Sequence, residues 1–388
     1  MVGGSPSLMW GLPYLLVRAG FSVDVISTSG LLRASRFVRE FHFATDLNCA
    51  IEAAFERVCM RSKVNPYDWV LACDDETLFK MSRIVWPTEV EPRHLPRTGV
   101  GRIAHIYSKI GLSRRLAGAR VQTPAFRVAT DCRKAMEAAE ELGYPVLVKA
   151  DSSSGGVGVR ECRCEADVLA LEGAAGFFEG RRMLVQQKIE GREMDLSAVY
   201  FSGELVHFAC SVVERSKQDF GVSDLRTYYP LPLVPEEVFS ELKALGRALD
   251  AEGFVSITAI EAADSGGRYY FEADMRPNAW VDFSRFYGED AALRIGRWFA
   301  DGTVLRKESV GAADGVKPIT IPYFSRVKRW ELLVNRFGVW RFIPWADCGV
   351  VLSLLSSRLG MLAVRKLVPR GVRQIVKRGM ILAAIPFP

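Results

Sequence analysis

The sequence predicts a chain of mixed α/β and α+β character, and three observations carry that prediction. In the first hundred residues, short β-type runs alternate with helical stretches, the pattern of a parallel sheet covered by helices. Pro87, Pro92 and Pro96 then punctuate the chain as a linker. Beyond them, Val255–Glu261 and Tyr269–Asp274 flank Asp264-Ser265-Gly266-Gly267, a hairpin turn signal. At 388 residues the chain suffices for two or three domains. We read 1–98 as an α/β domain, 99–325 as a second α+β region with a small lobe at 123–185, and 326–388 as a helical extension.

In order, Gly3-Gly4-Ser5 precedes a helical stretch, Leu8–Ala19, followed by strands at Phe21–Ile26 and Asp68–Cys73. A glycine-rich turn of this kind normally follows a strand. Only Met1 and Val2 precede it, so the first strand is expected to be absent or nearly so. Ser108–Ala119 and Asp131–Leu142 have helical periodicity, the latter stopped by Gly143. Pro145–Ala150, Met183–Gln187 and Asp195–Phe201 read as strands.

Apolar residues make up 49% and charged residues 25%, ordinary for a soluble globular protein. Eight cysteines in 388 residues are not a disulfide scaffold. Cys162 and Cys164 lack a second pair at metal-ligand spacing, so reduced thiols in a cytoplasmic protein are expected. No basic or apolar leader follows Met1. The net charge of +6 is uneven: Pro318–Pro388 holds twelve bases against two acids, +10, leaving −4 elsewhere. Any polyanion argument is confined to that segment. Its bases are interleaved with long apolar runs, which argues against nucleic acid as a partner.

Four motifs carry chemistry. Lys149 ends a strand and is followed by a loop containing Ser153, Ser154, Gly155, Gly156 and Gly158. Glycines let backbone N–H groups approach phosphate oxygens, and the lysine adds a point charge. The loop is neither a P-loop nor of Rossmann spacing, so a plain surface hairpin is the competing reading. Second, Glu272 and Asp274 share one face of a strand, and Glu261 on the preceding strand is expected to meet them. Three carboxylates on one face repel unless a cation such as Mg²⁺ is present; the competing reading is a solvated acidic face. Third, Arg276-Pro277-Asn278 follows the carboxylates and suits a phosphoryl oxygen, or a simple ion pair with Glu272 or Asp274. Fourth, Val185–Glu193 reads as a strand leaving its sheet at Gly191, with Glu193 near the exit.

The order of these four elements resembles the ATP-grasp superfamily, which includes D-alanine–D-alanine ligase, biotin carboxylase and carbamoyl phosphate synthetase. The resemblance covers roughly residues 1–320. It implies a Rossmann-like pre-ATP-grasp domain followed by two lobes that hold ATP with Mg²⁺ or Mn²⁺. It implies Lys109 and Lys149 at the phosphates and Ser153–Gly158 as the covering loop. Gln186, Gln187 and Ile189 would meet adenine, and Glu193 the ribose. Glu261, Glu272 and Asp274 would be metal ligands, with Arg276 and Lys149 catalytic at the transferred phosphoryl group. Two positions depart from the usual pattern: Asp274 stands where Asn is commoner, and Gln186 where Glu is frequent.

The implied activity is ATP-dependent activation of a small-molecule or carrier-bound carboxylate as an acyl phosphate, attacked by an amine. The same superfamily admits a carboxylase or a phosphoryl transferase. From another class, a nucleotide-binding scaffold stands as an alternative. Substrate contacts are sought at Arg215, Lys217, Arg226 and Asn278, with a solvated loop the alternative for the stretch around 214–229. The basic, aromatic segment from 326 has two readings: an extension packed on the core or on a homodimer partner, or a surface docking on anionic membrane or an acidic partner.

Overall fold

The computed structural model describes residues 1–90, 92–96, 104–153, 156–174, 177–178, 180–217, 220–306, 315–354 and 356. Two compact units form. The first comprises Met1–Leu95, Arg276–Thr303 and the chain from Pro322; the second comprises Pro96–Met275 and Val304–Ile321. The first cut falls among the prolines read as a linker. The chain then rejoins the first unit at Arg276, well before 325.

The first unit opens with β1 (Val2–Gly3), α1 (Pro6–Met9), α2 (Leu12–Arg18), β2 (Val23–Ser27), β3 (Val38–Phe43), α3 (Leu47–Arg61) and α4 (Asp75–Met81). β1–β2–β3 is a parallel sheet. The first strand is therefore present, two residues long. Asp68–Cys73 does not form the expected strand: it meets β1 through a single parallel bridge, Val2 to Ala72. The expected helix Leu8–Ala19 is broken between Met9 and Leu12. Asp74 closes the glycine turn, its carboxylate accepting from Gly4 N–H at 2.7 Å and Ser5 N–H at 3.3 Å while also capping α4 through Thr77 N–H at 2.9 Å.

The second unit holds α5 (Lys109–Gly118), β4 (Phe126–Ala129), α6 (Cys132–Leu142), β5 (Val146–Ala150), β6 (Val159–Cys162), α7 (Glu165–Leu169), β7 (Met183–Gln187), β8 (Gly191–Phe201), β9 (Glu204–Ser216), β10 (Ser223–Tyr229), α8 (Glu236–Ala248), β11 (Gly253–Ala262), β12 (Arg268–Asp274) and β13 (Ile319–Pro322). One sheet runs β4–β7–β5–β6; the other runs β12–β11–β8–β9–β10–β13. α6 shows how sequence sets structure here. Asp131 caps it by accepting from Lys134 N–H at 2.9 Å, and Gly143 ends it at φ +80°. Between them Cys132, Ala135 and Ala139 make a small-residue face that buries against Val146, Val148, Met183 and Val185 of the four-stranded sheet. The larger sheet buries Tyr200, Phe208 and Phe254 completely, each contributing about 1.5–3 kcal/mol.

The returning chain adds α9 (Ala291–Asp301) and α10 (Arg329–Leu333) to the first unit. Arg18 of α2 pairs with Asp282 and Asp290. Trp10 Nε1 donates to the Tyr323 hydroxyl at 2.7 Å within a cluster that includes Trp280, Phe283 and Phe324. Among the described residues of the C-terminal segment, helices are short, and 357–388 lie outside them. No single described helix is long and apolar enough to cross a membrane.

Candidate functional site

The second unit contains a cavity of about 260 Å³ lined by Lys109, Lys149, Ser153, Gly156, Gln186, Gln187, Ile189, Glu193 and Glu272. Four elements of chain far apart in sequence thus bring nine of the candidate residues to one place. Thr258, Phe220 and Phe271 also line it; the motifs did not single them out.

One side of the cavity is built from α5 and the loop after β5. Ser108 caps α5, accepting from Gly111 N–H at 2.9 Å. Asp151 ties that helix start to the loop by accepting from Ser108 Oγ at 2.8 Å and Ile110 N–H at 2.9 Å. Lys109 then reaches the loop itself, its Nζ donating to the Ser153 carbonyl at 2.5 Å and to Ser153 Oγ at 3.1 Å. Gly156 has φ +77°, and a Cβ there would stand 2.3 Å from the Phe220 carbonyl oxygen. Only glycine fits so close a backbone approach. Gly158 turns the chain back at φ +80°. Ser154 and Gly155 lie outside the described residues.

Lys149 is buried on β5. Its ammonium donates to Gln186 Oε1 at 2.8 Å and sits 4.6 Å from the Phe271 ring centre. Burial pushes its pKa down to about 8, with Lys109 lowering it and Glu272 and Glu193 opposing. Gln186 and Gln187 end β7, and the chain passes through Lys188–Glu190 to start β8 in the other sheet at Gly191. The predicted exit at Gly191 is thus an entry into the second sheet. Glu193 stands two residues inside it. Its carboxyl is raised to about 7, chiefly by burial and then by Asp195, against the pull of Arg226 and Lys149.

The carboxylate group differs from expectation. In the β11–β12 hairpin Glu272 lies opposite Thr258 and Asp274 opposite Ser256, whereas Glu261 lies opposite Arg268. Glu261 is three residues along β11 from Thr258, about 10 Å at 3.3 Å per residue, and pairs with Arg192. It does not join Glu272 and Asp274. Among the described residues no group of three or more His, Cys, Asp or Glu side chains is set to hold a metal. Glu272 and Asp274 remain as two carboxylates on one strand face. Such a pair fits Mg²⁺ that is bound through one or two carboxylates and completed by substrate phosphates and water.

The substrate candidates are largely engaged with this chain. Arg215 and Arg226 lie on β9 and β10, so the alternative of a solvated loop does not hold for these two residues. Arg215 Nε donates to Asp224 at 2.7 Å. Arg226 is buried, pairs with Asp195 and donates to Ser223 Oγ at 2.7 Å. Lys217 is exposed just past β9. In the first unit, Asn278 Oδ1 accepts from Trp280 N–H at 2.9 Å, and Arg276 Nε donates to Asp75 at 2.8 Å.

Residues 112–194 match the family described as the carbamoyl-phosphate synthase L chain, ATP binding domain. A D-alanine–D-alanine ligase of Desulforudis audaxviator is 30% identical over 222 residues, 53% of this chain and 70% of that enzyme. The solved N5-carboxyaminoimidazole synthetase of Staphylococcus aureus, complexed with ADP, superposes with a TM-score of 0.63 at 14% identity, over 88% of this chain and 85% of that one. An L-amino acid ligase of Bacillus licheniformis gives a TM-score of 0.53 at 16% identity, over 84% and 79% of the two chains. Two sheets joined through Lys188–Glu190, with Lys109 and Lys149 lining the cavity beside them, define a mixed α/β protein of the architecture these relatives share. The chain belongs to the ATP-grasp superfamily.

Proposed function

We propose that this protein is an ATP-dependent ligase that activates a carboxylate as an acyl phosphate and couples it to an amine, releasing ADP and phosphate. The observation that carries the reading is the convergence of Lys109, Lys149, Gln186, Glu193 and Glu272 on one cavity. In this reading Lys109 and Lys149 bind and orient the nucleotide phosphates, and the loop from Ser153 to Gly158 covers them and excludes water. Glu193 accepts from the ribose, and the chain at Gln187–Ile189 borders the base. Glu272 and Asp274 would hold Mg²⁺, which would supply neutralisation of phosphate charge. Arg276, two residues beyond Asp274, is assigned to the transferred phosphoryl group. The first unit is assigned as the Rossmann-like pre-ATP-grasp domain, on the strength of its parallel sheet and glycine turn.

The test is ADP release from Mg²⁺-ATP, screened against pools of carboxylic acids with and without pools of amines. ADP formed only with both pools, lost in Glu272→Gln and retained in Glu261→Gln, supports the ligase. Bicarbonate dependence would redirect it to a carboxylase, and a phosphorylated product without amine to a phosphoryl transferase. Tight nucleotide binding with no turnover in any pool would favour a binding role.

For the C-terminal segment we propose a surface that docks on anionic membrane. It is supported by Trp330, Trp340 and Trp345, 49%, 50% and 60% exposed in a stretch that also holds Arg329, Arg336 and Arg341. Flotation with anionic liposomes tests it, and a protein that stays at the bottom of the gradient ends it.

A further inference from the structure

The base end of the cavity holds a hydrogen-bond donor with nothing to donate to. Gln186 is 1% exposed and lies at the end of β7, beside the hinge. Its Oε1 accepts from Lys149 Nζ at 2.8 Å. An ammonium can only donate, so the amide must turn its oxygen to Lys149 and its NH₂ away. That nitrogen, Gln186 Nε2, is buried and has no hydrogen-bond partner. A buried donor left unmade is destabilising, and this one belongs to a residue that lines the cavity.

A carboxylate at this position would offer only acceptors, the complement of an exocyclic amino group. The amide, its oxygen occupied by Lys149, offers a donor. Sites that contain a buried polar group select for the ligand atom that pairs with it.

We infer that Gln186 Nε2 is a specificity-determining donor for an acceptor on the nucleobase, so that a 6-oxopurine nucleoside triphosphate is bound alongside the adenine nucleotide. The inference rests on the nucleotide site proposed above and adds the identity of the base edge it reads. The ammonium of Lys149 fixes the orientation of the amide and thereby the preference, which ties the base end of the cavity to its phosphate end.

The experiment is equilibrium binding of Mg²⁺-ATP and Mg²⁺-ITP to the full chain by titration calorimetry, with Gln186→Glu as the variant. ITP presents an oxygen at position 6 where ATP presents an amino group, and carries a proton at N1 where adenine has a lone pair, so the change in the ATP-to-ITP ratio on substituting Gln186 isolates the contact at position 6. ITP bound within about tenfold of ATP is the expected result for the unaltered protein. Gln186→Glu, which removes the donor and adds a charge, is expected to weaken ITP relative to ATP by at least about tenfold, 1.4 kcal/mol of discrimination. ATP bound but ITP more than tenfold weaker in the unaltered protein overturns the inference while leaving the nucleotide site standing. Equal shifts of both nucleotides in Gln186→Glu also overturn it, because the residue then acts only through Lys149. Failure of every nucleotide to bind overturns both this inference and the ligase reading. The comparison of ATP with ITP on the unaltered protein decides the matter even if the variant does not fold.

Discussion

Replacing Asp195 by Asn separates a supporting role for Arg226 from a substrate-binding one. The carboxylate of Asp195 pairs with Arg226 and accepts from Thr258 Oγ1 at 3.1 Å. The paired side chains are only 11% and 8% exposed, so water screens the pair little. Asn preserves the volume but leaves the guanidinium charge buried without its counter-ion. Breaking one side of such a pair costs about 3–5 kcal/mol. For a unit of this size, with about 2–4 °C per kcal/mol, Tm should fall by roughly 6–20 °C. Thermal unfolding followed by calorimetry measures it. Asp195→Leu combined with Arg226→Met removes both charges and should recover most of the loss, because a well-packed apolar pair is often neutral. A loss below about 1 kcal/mol in Asp195→Asn would refute the reasoning. So would a double variant as unstable as the sum of the singles. Either result would return Arg226 to the list of substrate contacts.

Two further outcomes follow from the geometry. Lys149, with its pKa pushed down to about 8, is charged below that pH and sheds its proton above it. Phosphate binding favours the charged form, so affinity for Mg²⁺-ATP should be full below about pH 8. Above that it should fall, approaching tenfold per pH unit, with proton uptake on binding visible in calorimetry in buffers of different ionisation heat. A flat affinity from pH 7 to 9.5 would contradict this. Gly246→Ala should destabilise the protein even though alanine favours a helix by about 1 kcal/mol, because its Cβ would stand 2.4 Å from the buried Tyr200 ring. A lowered urea midpoint is the expected reading, and a raised one would show that the ring yields.

What the sequence disclosed, it disclosed through local chemistry. Lys149, the glycine loop, Gln186 and Glu193 sit in short segments whose residue types and order carry their meaning, and the cavity gathers them. Asp131 and Gly143 mark the ends of α6 by capping alone. Glu261 was misplaced because alternation along a strand tells which face a side chain takes, not which rung it occupies. The rung depends on the length of the turn and on the bulge between Thr258 and Ala259. Arg226 reads as a substrate contact in the sequence because its partner Asp195 lies on β8, one strand beyond its neighbour β9, a proximity no spacing records. β3 escaped notice because VREFHF buries no clean alternate set. Asp68–Cys73 looked like a strand for its apolar content, but only one bridge forms.

The first unit is stitched from segments at both extremes of the chain, and this bears on the order in which the protein can form during synthesis. The Trp10–Tyr323 hydrogen bond and the Ser35–Asp347 contact span 313 and 312 residues. The opening strands and helices must therefore wait, with their apolar faces uncovered, until almost all of the described chain has left the ribosome. Most of the second unit is contiguous, from Pro96 to Met275, and can gather its strands earlier. Until then the uncovered faces of β1–β3 and α2 are open to aggregation and proteolysis, while the contiguous second unit can already be closed.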